Sequence, residues 1–177
     1  AWRHRSISHY WGDSELRTYI LVLVVISLVT AAYLFFTRTF DEPWAAIHHG
    51  IFQAVSIGTT AGFTTTDYYL WPGFLPILLL MASYIGGCAG STGGGMKVIR
   101  VMLLFKQGYR EVIRLIHPNA IIAIKVNNKA MSSKVVGAVW GFFALYVFSF
   151  SFMHLLLMST GLDIVTSFSA VTACLNN

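Results

Sequence analysis

The chain has 177 residues, of which 56% are hydrophobic and only 11% are charged, and its mean hydropathy is +0.66. Because soluble domains carry about 25% charged residues, this composition predicts an integral membrane protein. The formal net charge is +5, but most cations lie in one segment, which argues against a nucleic-acid-binding surface. The two cysteines provide neither a disulfide framework nor metal-ligand spacing.

Three stretches contain no Asp, Glu, Lys or Arg and are long enough to cross a hydrocarbon core of about 30 Å: 18–37, 68–96 and 135–162. Eight cations and one acid lie in 97–134, between the second and third stretches. By the positive-inside rule, this connection and the basic amino terminus lie in the cytoplasm. The sequence therefore predicts an all-α, multi-pass protein of the cytoplasmic membrane.

The amino-terminal part of the chain is predicted to contain a pore loop. Residues 1–18 are polar and basic and are expected to form a cytoplasmic or interfacial segment with no signal peptide. After the first span, Pro43 is placed to begin a helix that is too short to cross a membrane. Residues 56–67, rich in Gly and Thr, follow this helix. A half-crossing helix followed by such a segment predicts a re-entrant pore loop.

Residues 56–67 present the candidate ion-binding groups. Consecutive threonines and a glycine supply closely spaced carbonyl oxygens, and Gly62 permits backbone dihedral angles that a side chain forbids. This is the device that cation filters use. The alternative is a glycine-containing surface turn, which the long apolar flanks disfavour.

The second apolar stretch is interrupted by residues 86–95, which hold six of the fifteen glycines. Each interior glycine costs a helix about 1 kcal/mol relative to alanine, so we predict a broken inner helix that lines an aqueous path at membrane depth. A phosphate-binding loop is the alternative, because Gly90 and Gly95 have its spacing. However, Met96 stands where that motif needs lysine, and no strand precedes the cluster.

Two features recur at an offset of 116 residues and predict a parallel internal repeat. The first span corresponds to 135–152, and 52–57 corresponds to 168–173. Asp163 is then expected to cap a second pore helix.

The same offset places Asn176 and Asn177 opposite Thr60 and Ala61. Both asparagines are therefore candidate filter residues. The counterpart of Gly62 would follow directly after Asn177, so the second repeat is expected to stop at its filter.

Three motifs resemble the Trk/Ktr/HKT superfamily of potassium transporters, most closely its bacterial TrkH/TrkG membrane subunits: QAVSIGTTAGFTTTDY at 53–68, IGGCAGSTGGGMK at 85–97 and FSAVTACLNN at 168–177. In that family, four repeats of helix, pore loop and helix surround one pore, and each repeat gives a filter glycine. The resemblance covers the third repeat and most of the fourth, so these residues alone are not expected to close a four-fold pore.

The resemblance implies potassium uptake and assigns the site residues. Gly62 becomes the third filter glycine. The filter wall comprises Thr59, Thr60, Ala61, Gly62, Phe63, Asn176 and Asn177. The K+ ion is expected at Thr60, Ala61 and Gly62. The gating loop comprises Gly86, Gly87, Gly90, Ser91, Thr92, Gly93, Gly94 and Gly95. It also implies a homodimer in a lipid bilayer, a cytosolic nucleotide-binding regulatory ring, no nucleic acid, and no cofactor besides the transported K+. Asn176 and Asn177 would make the ring of filter residues chemically unequal, which predicts less strict selectivity for potassium.

The predicted organisation has four parts. Residues 1–18 are cytoplasmic or interfacial, and 19–107 form a complete helix, pore-loop, helix repeat with a filter at 59–63 and a glycine loop at 86–95. Residues 108–134 form a cytoplasmic connection, and 135–177 supply the outer helix and pore helix of a second repeat.

Two other functions are weighed against potassium uptake. An ion-coupled secondary transporter with a midplane site at its broken helix should carry intramembrane acids or bases, and 68–96 contains none. A membrane enzyme needs a cluster of acid, base or nucleophile, whereas His154 stands alone in its span. The sequence therefore predicts a transport protein rather than an enzyme.

Overall fold

The structure is a computed structural model that describes residues 12–118, 120, 122–127 and 129–176. Most of the predicted amino-terminal interfacial segment and the candidate filter residue Asn177 lie outside the described residues. Within them the fold is helical, as predicted, apart from one two-stranded hairpin. The elements are α1 (Ser14–Phe36), α2 (Pro43–Gly58), a 3-10 turn (Tyr68–Leu70), α3 (Leu75–Ile85), α4 (Val98–Ile116), β1 (Lys125–Val126), β2 (Lys129–Ala130), α5 (Ser133–Ser159) and α6 (Ile164–Asn176).

Helix α1 begins earlier than the predicted first span because Asp13 caps it. The Asp13 carboxylate accepts a hydrogen bond from the backbone N–H of Glu15 at 2.9 Å. One face of α1 is buried within the protein, and large apolar side chains on the opposite face are exposed: Ile20, Leu21, Val24, Val25 and Leu28. That exposed apolar face is the one expected to contact lipid.

Helix α2 begins at Pro43, as predicted, and packs closely on α1 through small residues. Its buried positions are Ala46, Gly50, Gln53, Ala54, Ser56 and Gly58. A Cβ atom added at Gly50 would lie 3.0 Å from the Cα atom of Ala31 on α1. The larger residues Ile51, Phe52 and Val55 are instead exposed. Small residues thus let the two backbones approach, and the bulky ones face outward.

Two helices are long and apolar enough to cross a membrane among the described residues, α1 and α5. The predicted second span, 68–96, does not form one helix. The only α-helix within it is α3, whose 11 residues cover about 16 Å at 1.5 Å per residue. Helix α3 packs against α2 and α6, and Leu75 and Leu79 are fully buried in the core that it shares with α1 and α2.

Helix α4 continues to Ile116 and therefore includes the start of the predicted connection at 108–134. The rest of that connection contains an antiparallel hairpin in which Lys125 pairs with Ala130. Asn127 takes the positive φ of 50° that this tight turn requires.

The second half repeats the order of α1 and α2 as a long helix, α5, followed by a short one, α6. The predicted cap of α6 is confirmed, because Asp163 Oδ2 accepts the backbone N–H of Thr166 at 3.0 Å. Hydrogen bonds from Thr166 lower the pKa of the Asp163 carboxyl. The carboxylate therefore stays ionised, in the form that caps the helix best.

We predict that Gly50→Ala destabilises the protein by about 1–3 kcal/mol, the usual cost of overpacking a tight contact. The added methyl group would meet the backbone of Ala31 rather than a flexible side chain. Gly137→Ala on α5 is the matched control, because nothing lies within 4 Å of its Cβ position. Thermal unfolding in detergent should show a lower melting temperature for Gly50→Ala only. Equal melting temperatures for the two variants would contradict the close α1–α2 contact.

Candidate functional site

The candidate site forms where two non-helical segments meet. Residues 59–67 follow the end of α2, and residues 86–97 connect α3 to α4. Sequence analysis singled out both segments separately. The structure brings them into direct contact.

The first segment leaves α2 through two left-handed residues. Thr59 is the last α-region residue, Thr60 has φ 59° and Gly62 has φ 77°. The backbone N–H of Ala61 still donates to the carbonyl of Ser56 at 2.8 Å. A threonine at positive φ is uncommon, and such strained residues concentrate at functional positions.

Side chains of α2 hold the segment after Gly62. The Ser56 hydroxyl donates to the carbonyl oxygen of Phe63 at 2.6 Å. Further along, Nδ1 of His49 lies 2.9 Å from the Thr65 hydroxyl. The chain therefore runs back along the helix that it has just left, with residues 61–65 exposed.

The second segment is an Ω-shaped loop whose two ends touch. A side chain at Gly86 would collide with the carbonyl oxygen of Gly94, and a Cβ at Gly95 would lie 2.7 Å from the carbonyl oxygen of Ser83. Both glycines have positive φ, 63° and 74°. The loop therefore closes only because these positions lack side chains.

Backbone hydrogen bonds continue across the base of this loop. The N–H of Met96 donates to Tyr84 O at 2.8 Å, and the N–H of Val98 donates to Gly87 O at 3.1 Å. The end of α3 and the start of α4 are thereby tied together.

Lys97 fixes the loop from inside. Its Nζ donates to the Ser91 carbonyl oxygen at 2.9 Å, to the Ser91 hydroxyl at 3.2 Å, and to the Gly93 carbonyl oxygen. The residue itself has a positive φ of 74°, which turns its side chain back into the loop. Sequence analysis included Lys97 in the motif at 85–97 and among the cytoplasmic cations, without assigning it this role.

The loop contacts the predicted filter through Thr60. Its hydroxyl accepts the backbone N–H of Gly94 at 3.1 Å, and a Cβ at Gly93 would lie 3.0 Å from the same oxygen. On its outer edge, the loop is held by Glu15 of α1, whose Oε1 accepts the backbone N–H of Ala89 at 2.5 Å. The loop is thus fixed by three side chains from three different parts of the chain.

The second pore helix is arranged differently from the first. Asn176 is still helical and is only 2% exposed. Its Oδ1 accepts the hydroxyl of Tyr146, and its Nδ2 donates to the Ser83 hydroxyl at 3.0 Å. A second hydroxyl pair, Tyr84 and Thr172, lies 2.8 Å apart. The Asn176 side chain is therefore committed to joining α6 with α3 and α5.

A cavity of about 210 Å³ lies between the two halves of the chain. Both α2 and α6 contribute to its wall, together with the start of residues 59–67. Its lining residues are Ile57, Thr60, Gly62, Tyr68, Leu80, Ser83, Ala173 and Asn176. At about 30 Å³ for each water molecule, the cavity could hold several.

The lining groups indicate the chemistry. None of the eight residues is charged at neutral pH, and four of them carry polar side-chain groups: Thr60, Tyr68, Ser83 and Asn176. The remaining lining residues are apolar or glycine, so the cavity carries no fixed charge of its own.

Sequence reasoning included Ser56 in residues 56–67 and Lys97 in the motif at 85–97, but gave neither an anchoring role. It missed Glu15. That residue gave no signal, because its partner is 74 residues away and charged residues near a span normally indicate only topology.

Comparison with known proteins gives a consistent result. A model of the TrkH family, described as cation transport proteins, matches residues 4–177. The chain is 49% identical over 177 residues to the Trk system potassium uptake protein TrkH of Halomonas elongata and 47% identical over 173 residues to that of Escherichia coli, covering 36% of each. It is also similar to the crystal structure of the potassium transporter TrkH from Vibrio parahaemolyticus, with a TM-score of 0.91 and 51% identity over 96% of this chain and 36% of that one. The chain thus spans about a third of these relatives.

We predict that Ser56→Ala loosens the segment after Gly62, because the Phe63 carbonyl loses its hydroxyl donor. Losing one such bond costs about 1 kcal/mol. Backbone hydrogen exchange in 61–66 should therefore rise about fivefold. Ser169→Ala is the control, since that hydroxyl bonds only within its own helix. Unchanged exchange in both variants would contradict the anchoring role of Ser56.

Proposed function

The chain belongs to the TrkH family of cation transport proteins, and on that premise we propose that it forms part of a potassium uptake pathway in a bacterial cytoplasmic membrane. The observation that carries this proposal is the hydrogen bond between Gly94 and Thr60, which joins the glycine loop directly to residues 59–63. If one segment is an ion filter and the other is its gate, the single activity of ion transport accounts for both segments and for their contact.

We assign residues 59–63 as the filter wall, with K+ coordinated at Thr60, Ala61 and Gly62. Thr60 and Gly62 have positive φ values, which take the backbone out of the preceding helix, and the Ser56 hydroxyl fixes the carbonyl of Phe63. Such carbonyls can replace water around a dehydrated ion. In the second repeat, the Asn176 side chain is engaged elsewhere, so any filter contribution of Asn176 comes from its backbone.

We assign residues 86–95 as a gating loop and the present arrangement as its closed state. Helices α3 and α4 are then the two halves of one inner helix. Thr60, Glu15 and Lys97 are the groups that hold the loop in place. Opening requires these bonds to break, so a partner that binds the open arrangement more tightly would shift the population.

The cytoplasmic end of this pathway offers a surface for partners. Helix α4 exposes one apolar stripe at its carboxyl-terminal half: Phe105, Tyr109, Val112, Leu115 and Ile116. We propose that a second copy of the chain and a cytosolic nucleotide-binding ring meet the protein at this end. The bilayer surrounds α1 and α5.

Transport is best measured in a complete pathway. A suitable protein is the Vibrio parahaemolyticus TrkH in which this chain replaces the matching segment, 52% identical over 169 residues. We refer to it as the chimaera. Reconstituted in liposomes, it allows rubidium and sodium flux to be measured separately.

We predict that Gly62→Ser in the chimaera lowers the preference for rubidium over sodium about tenfold or more while the protein remains folded. Gly62 has φ 77° with nothing within 4 Å of its Cβ position. A side chain there fits sterically but strains the backbone, which redirects the carbonyl groups. Gly161→Ser is the control, because Gly161 has φ 91° and equally open space but lies outside both the filter and the gating loop. Unchanged selectivity in Gly62→Ser would refute the filter assignment.

We predict that Glu15→Ala raises basal rubidium flux in the chimaera, because the Ala89 N–H loses its carboxylate acceptor. A hydrogen bond to a charged group contributes about 1.5 kcal/mol, which corresponds to a tenfold change in the ratio of closed to open loops. Deleting residues 87–94 should raise flux further. Glu111→Ala is the control, since this acid bonds only within α4. Wild-type flux in both the Glu15 variant and the deletion would mean that the loop gates nothing.

A further inference from the structure

A second cavity, of about 470 Å³, lies far along the chain from the filter, where α1 begins. It is enclosed by three elements: the first turn of α1, the middle of α4 and the β1–β2 hairpin. Its lining residues are Gly12, Ser14, Arg17, Lys106, Lys125 and Asn127. Three of these six residues are cations, and none is an acid.

The cations of this cavity form no ion pairs with other described residues. The ion pairs that the described part of the chain contains all involve Glu111 on α4. Lys106 uses one of its three N–H donors on the carbonyl oxygen of Lys125, at 2.6 Å. Arg17 and Lys125 are exposed, so their donors can reach into the cavity.

Two acids lie at the start of α1 beside the cavity. Asp13 Oδ1 accepts the N–H of Glu15 and the side-chain amide of the lining residue Asn127, at 2.9 and 3.1 Å. Glu15 reaches away to Ala89 of the glycine loop. The three lining cations therefore outnumber the one carboxylate that contacts a lining residue.

The start of α1 adds to the positive charge of the cavity. Ser14 is the first residue of α1 and lines the cavity. The amino-terminal end of a helix carries a partial positive charge. Three cations at a helix start together suit a tetrahedral anion.

We propose that this cavity binds a phosphate group, and that its source is the headgroup of an anionic phospholipid. Helix α1 is a candidate membrane span that starts at Ser14, so the cavity lies at the depth of the headgroups. The positive-inside rule places this end in the cytoplasmic leaflet. Free phosphate has the same chemistry as a phospholipid headgroup, but it has no acyl chains that would hold it at the membrane surface.

The site ties together elements that flank the gating loop. Lys106 lies on α4, which follows the loop, and Arg17 lies on the turn of α1 whose Glu15 holds Ala89. A bound phosphate would bridge these two elements. Binding itself depends on no step of transport, so it can be tested apart from the proposed function.

The test is native mass spectrometry of the chimaera in detergent, titrated with phosphatidylglycerol, phosphatidylcholine or inorganic phosphate. The variant Arg17→Gln/Lys106→Gln/Lys125→Gln should lose phosphatidylglycerol affinity about a hundredfold, since each cation near a membrane surface contributes about fivefold. Arg17→Gln alone should lower it about fivefold. Phosphatidylcholine should bind weakly in every case.

Two further variants control for charge and folding. Arg114→Gln/Lys129→Gln/Lys134→Gln removes the same charge outside the cavity and should retain wild-type affinity within about fivefold. Lys106→Arg/Lys125→Arg keeps the charge and should retain binding. Size-exclusion profiles and melting temperatures identify any variant that fails to fold, in which case Arg17→Gln alone decides.

Each outcome has a definite meaning. Selective loss in the cavity variant, with displacement of phosphatidylglycerol by inorganic phosphate, supports the proposal. Equal losses in the cavity variant and the charge-matched control overturn it, because attraction would then be diffuse. Binding of inorganic phosphate without phosphatidylglycerol overturns the lipid source. Binding of neither, with loss of a cytosolic protein partner in the cavity variant, overturns the phosphate site in favour of an acidic protein surface.

Discussion

Backbone N–H and C=O groups that leave a helix inside a membrane must find partners within the protein, since lipid offers none. Two segments of this chain depart from helix between apolar stretches, and the rest of the architecture supplies their partners. Ser56 satisfies the Phe63 carbonyl, Thr60 satisfies the Gly94 N–H, and Lys97 satisfies the Ser91 carbonyl. Each segment is therefore stable only when the other and its supporting helices are in place.

Glycine has two separate roles in this arrangement. At Gly86 and Gly95, the missing side chain lets the two ends of the loop touch, and alanine would collide with backbone atoms. At Gly90, nothing lies within 4 Å of the Cβ position, and the positive φ of 82° is the requirement. A loop closed by backbone contacts and held at its edges by a few hydrogen bonds can move as one unit, which suits the gating that we propose.

The internal repeat preserves the order of the helices but not their contacts. Ser56 and Thr172 occupy corresponding positions at the offset of 116. The first hydroxyl anchors the segment after its own helix, whereas the second contacts Tyr84 on α3. Helix α6 also extends to Asn176, whose counterpart Thr60 lies beyond the end of α2. The two halves therefore contribute unequally to the cavity between them, which explains why a repeat alone predicted Asn176 only as a filter residue.

The sequence by itself determined the helical class, the apolar spans, the start of α2 at Pro43, the cap at Asp163 and the interruption at 86–95. These features follow from local preferences and composition, which act between residues close in the chain. The tertiary structure alone decided that Thr60 touches Gly94, that Glu15 reaches Ala89, and that Lys97 turns into the loop instead of toward solvent. It also decided that Arg17, Lys106 and Lys125 meet in one cavity. These contacts depend on how separate helices pack, and no local pattern of residues encodes that packing.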